Sequence, residues 1–245
     1  MPGRATLATA ARVLSQLRRD PRTLALLLVV PCVLVFLVDQ LFADRPEVFQ
    51  QVGIPLLGLF PLISMFLVTS ITMLRERTSG TLERLLTLPL EKLDLLLGYA
   101  LAFAAVAAVQ ATLVSFVGFG LLDLDTGHSK ALVVVLAVAN AVLGMALGLF
   151  LSAFARTEFQ AVQFMPAFVL PQILLCGLIV PREEMAEWLQ WISALMPFTY
   201  AYDALARAAS PAPLGGRFWL DVLVVVGVTL LALVLGAATL RRRTP

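Results

Sequence analysis

Residues 131–155 read ALVVVLAVANAVLGMALGLFLSAFA, a run without a single Asp, Glu, Lys or Arg. A helix at the surface of a soluble domain is apolar on one stripe only, whereas this run is apolar all round. About 20 such residues span the hydrocarbon core of a bilayer. The segment therefore reads as a membrane-crossing helix. Five further runs, 24–42, 52–74, 95–122, 159–180 and 218–240, have the same character. The expected fold is an all-α integral membrane protein with six spans, forming a single domain over residues 1–245. Only Arg156, Thr157 and Glu158 separate the fourth span from the fifth, so a tight turn is expected there. The run 24–42 is longer than the apolar part of a signal peptide and follows a basic leader, so it reads as a retained span.

Composition agrees. The 245 residues are 60% hydrophobic and only 14% charged, against about 25% charged in a soluble protein. Mean hydropathy is +0.93. The net charge is +2, with the basic residues scattered between apolar runs, which excludes the basic patch of a nucleic-acid binder. Cys32 and Cys176 both lie in apolar runs and read as small hydrophobes rather than a disulfide framework.

Lys and Arg also orient the chain. With both termini on the inner side, the outer loops hold Arg45, Lys130, Arg182, Arg207 and Arg217, and the other 13 of the 18 basic residues lie inside. That bias favours cytoplasmic termini in the cell membrane. Ahead of the first span, Leu7, Ala11, Leu14 and Leu17 recur at helical spacing among Arg4, Arg12, Arg18 and Arg19. This suits a helix lying along the inner interface; a disordered basic leader is the alternative.

The first inner loop, residues 75–94, reads RERTSGTLERLLTLPLEKLD. Thr78, Ser79 and Gly80 read as helix-start signals and Pro89 as a stop. Between them Leu82, Leu85 and Leu86 share one face and Glu83 and Arg84 another. Two turns of helix are marginal alone in water, so something should hold them: a groove on a partner protein, or the membrane and the subunit itself.

The pattern R-E-R-x-S-G-T-L-E-R-L-L-x-x-P resembles the signature that follows the second span in type 2 ABC transporter permeases. Arg75, Glu76, Gly80, Thr81, Leu82, Glu83, Leu85, Leu86 and Pro89 match it. The resemblance implies that this loop is a coupling helix inserted into a cytoplasmic ATPase. That family often has Lys after the glycine at the start of the third span; here Tyr99 follows Gly98. A second stretch is also similar. Pro197, Thr199, Tyr200, Asp203, Ala204 and Leu205 match a P-x-T-Y-x-x-D-A-L segment of the same family. Around it, Trp188, Trp191, Tyr200 and Tyr202 are aromatics of the kind that gather at headgroup level. They suggest two short outer helices, broken near Pro197, that dip toward the membrane and return; an exposed loop is the alternative.

Within the spans, Asn140, Gly144, Gly148 and Ser152 recur every four residues. The G-x-x-x-G step lets helices approach closely, within the subunit or between subunits. Gln110, Asn140, Gln163 and Gln172 need partners in an apolar setting, so they are candidates either for helix packing or for lining a pathway. Pro55, Pro61, Pro166 and Pro171 imply kinks in the second and fifth spans. Asp39 lies near the outer end of the first span, and no acid reads as placed at mid-membrane, which disfavours a proton relay.

No phosphate-cradling G-x-x-x-x-G-K-[ST], H-E-x-x-H, C-x-x-C or G-x-S-x-G occurs. His128, beside Asp123 and Asp125, reads as a solvated loop residue rather than a metal ligand. No catalytic, cofactor-binding or metal-binding residue is expected. The resemblance implies a transport subunit without its own ATPase, paired with itself or a similar permease and with two ATPase copies that bind ATP and Mg. The expected cargo is an amphiphilic drug-like or lipid-like molecule moved outward. A lipid-linked saccharide exporter and a secondary transporter are the alternatives.

Overall fold

The computed structural model describes residues 2–80 and 92–239, with side chains over 4–80 and 94–239. Among them there is no strand. The helices are α1 (Pro2–Arg18), α2 (Pro21–Leu41), α3 (Pro46–Thr78), α4 (Lys92–Gly120) and α5 (Lys130–Leu151). They are followed by α6 (Glu158–Phe164), α7 (Leu170–Leu175), α8 (Glu187–Ala194), α9 (Pro197–Ala209) and α10 (Gly216–Ala238). Local chemistry sets many of the starts. Asp20 accepts from the Thr23 amide ahead of α2, whose first residue is proline. Ser129 caps α5 through the Leu132 amide and Thr157 caps α6 through that of Gln160. Each cap satisfies an amide that the helix itself leaves orphaned.

Among the described residues five helices, α2, α3, α4, α5 and α10, are long and apolar enough to cross a membrane. The expected fifth span, 159–180, takes a different form. Helical backbone covers 158–175 in three abutting pieces: α6, a π-helical turn at Met165–Val169 that contains Pro166, and α7. A π-turn re-phases the faces of a helix at the cost of its regular hydrogen bonds. By contrast, α3 runs through Pro55 and Pro61 as one element.

The core is built on α3, which packs along α5. Of α3's most apolar window 67% is buried, against 17% for α2 and 22% for α10. The outer pair therefore presents apolar side chains to lipid or to another chain. The glycines make the α3–α5 contact possible. A Cβ on Gly144 would lie 2.0 Å from the Leu62 carbonyl oxygen, and one on Gly148 would lie 2.2 Å from Thr69 Oγ1. Thr69 Oγ1 donates to the Met65 carbonyl of its own helix at 2.6 Å and lies 3.2 Å from the Met145 carbonyl across the contact. The G-x-x-x-G step thus serves packing within the subunit.

The helix α1, read as lying along the inner interface, is docked on α4. Ala10 and Val13 are buried, Thr6 Oγ1 donates to Asp94 Oδ1 at 3.0 Å, and Gly98 makes room where a Cβ would strike Thr9.

Candidate functional site

Four elements converge at the end of the bundle where the chain approaches residue 81. Arg75 and Glu76 lie in the last turn of α3. Arg75 grips Glu158, at the start of α6, bidentately: Nε to Oε1 is 2.8 Å and Nη2 to Oε2 is 3.0 Å. That hydrogen bonding holds the Glu158 carboxyl below the usual carboxylate range. Glu76 points the other way and is buried, with 7% of its surface exposed. Its Oε1 pairs with Arg12 of α1 at 3.5 Å. Arg12 also donates to the Tyr99 hydroxyl of α4 and lies over that ring, 5.5 Å from its centroid. Arg77 Nη2 reaches Thr239 Oγ1, just past α10, at 3.4 Å.

The turn after α3 is a helix stop. Ser79 donates its amide to the Arg75 carbonyl, and Gly80 has φ +72°, the left-handed conformation that ends helices. The helix that Thr78, Ser79 and Gly80 were read to start lies outside the described residues. Thr81, Leu82, Glu83, Leu85, Leu86 and Pro89, the rest of the expected coupling helix, lie outside the described residues.

At the opposite end, the 3₁₀ turn Arg182–Glu184, α8 and α9 occupy the second unusual stretch. The chain bends between Ala194 and Pro197, which takes the first position of α9. Thr199 Oγ1 donates to the Ser193 carbonyl at 2.8 Å and the Tyr200 hydroxyl to that of Ala194 at 2.7 Å, so both satisfy the end of α8. Ser193 Oγ in turn donates to Leu175 O at 2.8 Å. Asp203 Oδ2 accepts from Arg182 Nη1 at 3.1 Å, while burial pushes its carboxyl up from the ordinary value. The P-x-T-Y-x-x-D residues are thus the fasteners of a helical hairpin. The preceding loop joins them: His128 Nδ1 lies 3.3 Å from the Ala208 carbonyl.

Residues 4–208 match the ABC-2 type transporter family. The chain belongs to that family. Over 147 residues it is 34% identical to the probable multidrug ABC transporter permease YbhR of Escherichia coli, covering 59% of this chain and 40% of that protein. It is 27% identical over 138 residues to ABC transporter G family member 20 of Dictyostelium discoideum, covering 56% of this chain and 19% of the relative. Linearmycin resistance permease protein LnrN of Bacillus subtilis is 24% identical over 159 residues, 65% of this chain and 40% of that permease. These matches therefore span less than half of each relative's length.

In this ABC-2 chain the four intramembrane amides divide. Gln110 Nε2 donates to Leu27 O at 2.7 Å, and Asn140 Nδ2 to Ala201 O at 3.0 Å. Gln172 donates to Phe168 O at 3.0 Å and accepts from the Phe198 amide at 3.4 Å. These three are helix-packing groups. Gln163 is exposed on α6 and lines an open cleft of about 630 Å3 with Phe154, Arg156, Phe159 and Phe164. Changing Asn140 to leucine should destabilise the protein by about 1 kcal/mol, read from melting in detergent, because the Ala201 carbonyl then loses its donor. An unchanged melting temperature would show that the bond contributes nothing.

Sequence reading missed one acid. Asp221 lies in α10 and is fully buried; Arg207 Nε donates to its Oδ2 at 3.0 Å. It sits one turn from the start of α10 (Gly216–Ala238), away from the middle of that span. Arg217, four residues earlier on the same helix, was the available signal.

Proposed function

We propose that this chain is the permease subunit of an ATP-driven exporter, with ATP and Mg bound by a separate cytoplasmic ATPase that grips residues 75–89. The observation that carries the reading is the last turn of α3. Arg75 holds α6, Glu76 holds α1, and through Arg12 that link extends to Tyr99 of α4. A push on the segment beyond Gly80 would therefore reach three helices through charge-assisted contacts rather than dissipate in a loose loop.

In this reading the termini and residues 75–94 face the cytoplasm, as the distribution of Lys and Arg favours. Two permeases, identical or similar, pair with two ATPases. Gln163, the amide left open on an apolar face, and the aromatic cleft around it suit an amphiphilic drug-like or lipid-like cargo moved outward. The names of the Escherichia coli and Bacillus subtilis relatives, multidrug and linearmycin resistance permeases, support export of that kind.

The test is reconstitution in liposomes with an ATPase subunit encoded beside this gene. Glu83→Ala and Leu86→Ala should each lower permease-stimulated ATP hydrolysis about tenfold, as loss of a docking anchor does, with membrane insertion intact. Stimulation equal to that of the parent would remove the docking role. Ala186→Cys should label from outside intact cells; protection there would invert the orientation.

A further inference from the structure

We propose that Arg207 and Arg217 form a binding site for the phosphate group of a membrane lipid, at the end of the bundle opposite the chain termini. The site starts from an imbalance of charge. Asp221 has a side chain 0% exposed and faces two guanidiniums: Arg207 Nε at 3.0 Å from Oδ2, and Arg217 Nε at 3.7 Å from Oδ1. The other nearby carboxylate, Asp203, is taken by Arg182 at 3.1 Å. One positive charge is left over. Among the described residues neither Arg207 nor Arg217 has a further ion-pair partner.

Geometry makes that charge available. The Arg207 and Arg217 side chains are 43% and 51% exposed although their shared carboxylate is buried. At 3.7 Å Arg217 is too far from Asp221 for a hydrogen bond, so its planar fork stays open to another anion. Both arginines line a cavity of about 410 Å3, with Ser210 and the backbone of Gly215 beside them. Asp203 also lines the cavity, with its carboxylate paired to Arg182, and no side chain caps the start of α10 at Gly215. Two guanidinium forks suit the tetrahedral oxygens of a phosphate, which they can bind bidentately.

The surroundings point to a lipid as the source. Trp219 is 63% exposed two residues along α10 from Arg217, and Leu223 is exposed one turn further. Tryptophan favours the headgroup level of a bilayer. Trp219 therefore marks the depth at which lipid phosphates lie as that of the cavity, and Pro213 and Leu214 give the cavity an apolar edge. Inorganic phosphate could engage the same forks but gains nothing from the apolar edge at Pro213 and Leu214.

The experiment uses the purified full chain in detergent, titrated with phosphatidylglycerol and followed by native mass spectrometry. No ATPase and no transport is involved, so its outcome is separate from that of the proposed function. One tightly held lipid per chain is expected, weakening as salt rises. Arg217→Gln should weaken it about tenfold, the value of one charge-assisted contact, while Arg217→Lys should retain part of the affinity. Arg217→Gln leaves the Arg207–Asp221 hydrogen bond in place, so folding is preserved, and an unchanged melting temperature verifies that. Binding by Arg217→Gln as tight as the parent's would overturn the site. Displacement of the lipid by millimolar inorganic phosphate would overturn the lipid assignment.

Discussion

Gly144→Ala is expected to remove most of the folded protein. The added Cβ would sit 2.0 Å from the Leu62 carbonyl oxygen and 2.7 Å from its carbon. Both atoms are main chain, so no change of rotamer relieves the clash; α3 or α5 has to move. Moving either disturbs one of the two most buried spans, each with 67% of its apolar window buried. Leu62, Met65 and Phe66 are all fully buried along the same contact, and Thr69 Oγ1 comes within 3.2 Å of the Met145 carbonyl across it. Overpacking a core typically costs about 1–3 kcal/mol; a clash with backbone belongs at or above the upper end, a large part of the roughly 5–15 kcal/mol that holds a protein folded. Gly148→Ala should follow closely, since its Cβ would meet Thr69 Oγ1 and the Phe66 carbonyl at 2.2 and 2.4 Å. Gly227→Ala on α10 is the control. Nothing lies within 4 Å of its Cβ position, and alanine is the better helix former. The monodisperse fraction and melting temperature in detergent read all three. A Gly144→Ala protein that melts with the parent would mean that α3 and α5 do not touch there.

Those glycines show which part of the fold was open to sequence reading. The apolar runs mark where lipid must be met, because hydropathy answers to solvent alone. They do not mark where helices end. Helix α3 extends from Pro46 to Thr78, beyond the run 52–74 on both sides, because Glu47, Gln50 and Arg75 can be helical in water as readily as in a membrane. Pro166 and Pro171 marked the fifth run as interrupted, but not the form the interruption takes, a π-turn at Met165–Val169. That turn depends on how Pro166 is accommodated against neighbouring helices, and no short-range pattern encodes this.

The site was legible to a different extent. Arg75, Glu76 and Gly80 were singled out by their resemblance to the permease signature, but their contacts were not. Glu76 read as part of a solvated loop, and it is buried because α1, distant in sequence, brings Arg12 to it. A contact between residues 12 and 76 leaves no local signature. Gln110, Asn140, Gln163 and Gln172 were indistinguishable as amides in apolar runs; only the packing separates the three bonded ones from Gln163. Thr199 and Tyr200 were recognised as a motif, and the structure supplies the reason, since they close the end of α8.

The Arg12–Glu76 pair yields the second large effect, and its sign is asymmetric. Arg12→Ala strands a carboxylate that is 7% exposed, whereas Glu76→Ala frees a guanidinium whose side chain is 29% exposed and can turn to water. An uncompensated buried charge costs about 3 kcal/mol or more. A released, partly solvated arginine costs nearer 1 kcal/mol, mainly through lost packing against Tyr99. Arg12→Ala should therefore destabilise more than Glu76→Ala, and Arg12→Ala/Glu76→Ala should be more stable than Arg12→Ala alone, because the second change removes the stranded charge. Unfolding by denaturing detergent in mixed micelles gives all four corners of the cycle. The same pair fixes α1 against the turn that leads to residue 81, so Arg12→Ala should also lower ATPase stimulation in the reconstituted complex, and the double variant, stable but untethered, should not recover it. That divergence separates a mechanical tether from a merely stabilising contact. If the double variant regained both stability and stimulation, α1 would be a passive packing element and the route through Glu76 would carry no force.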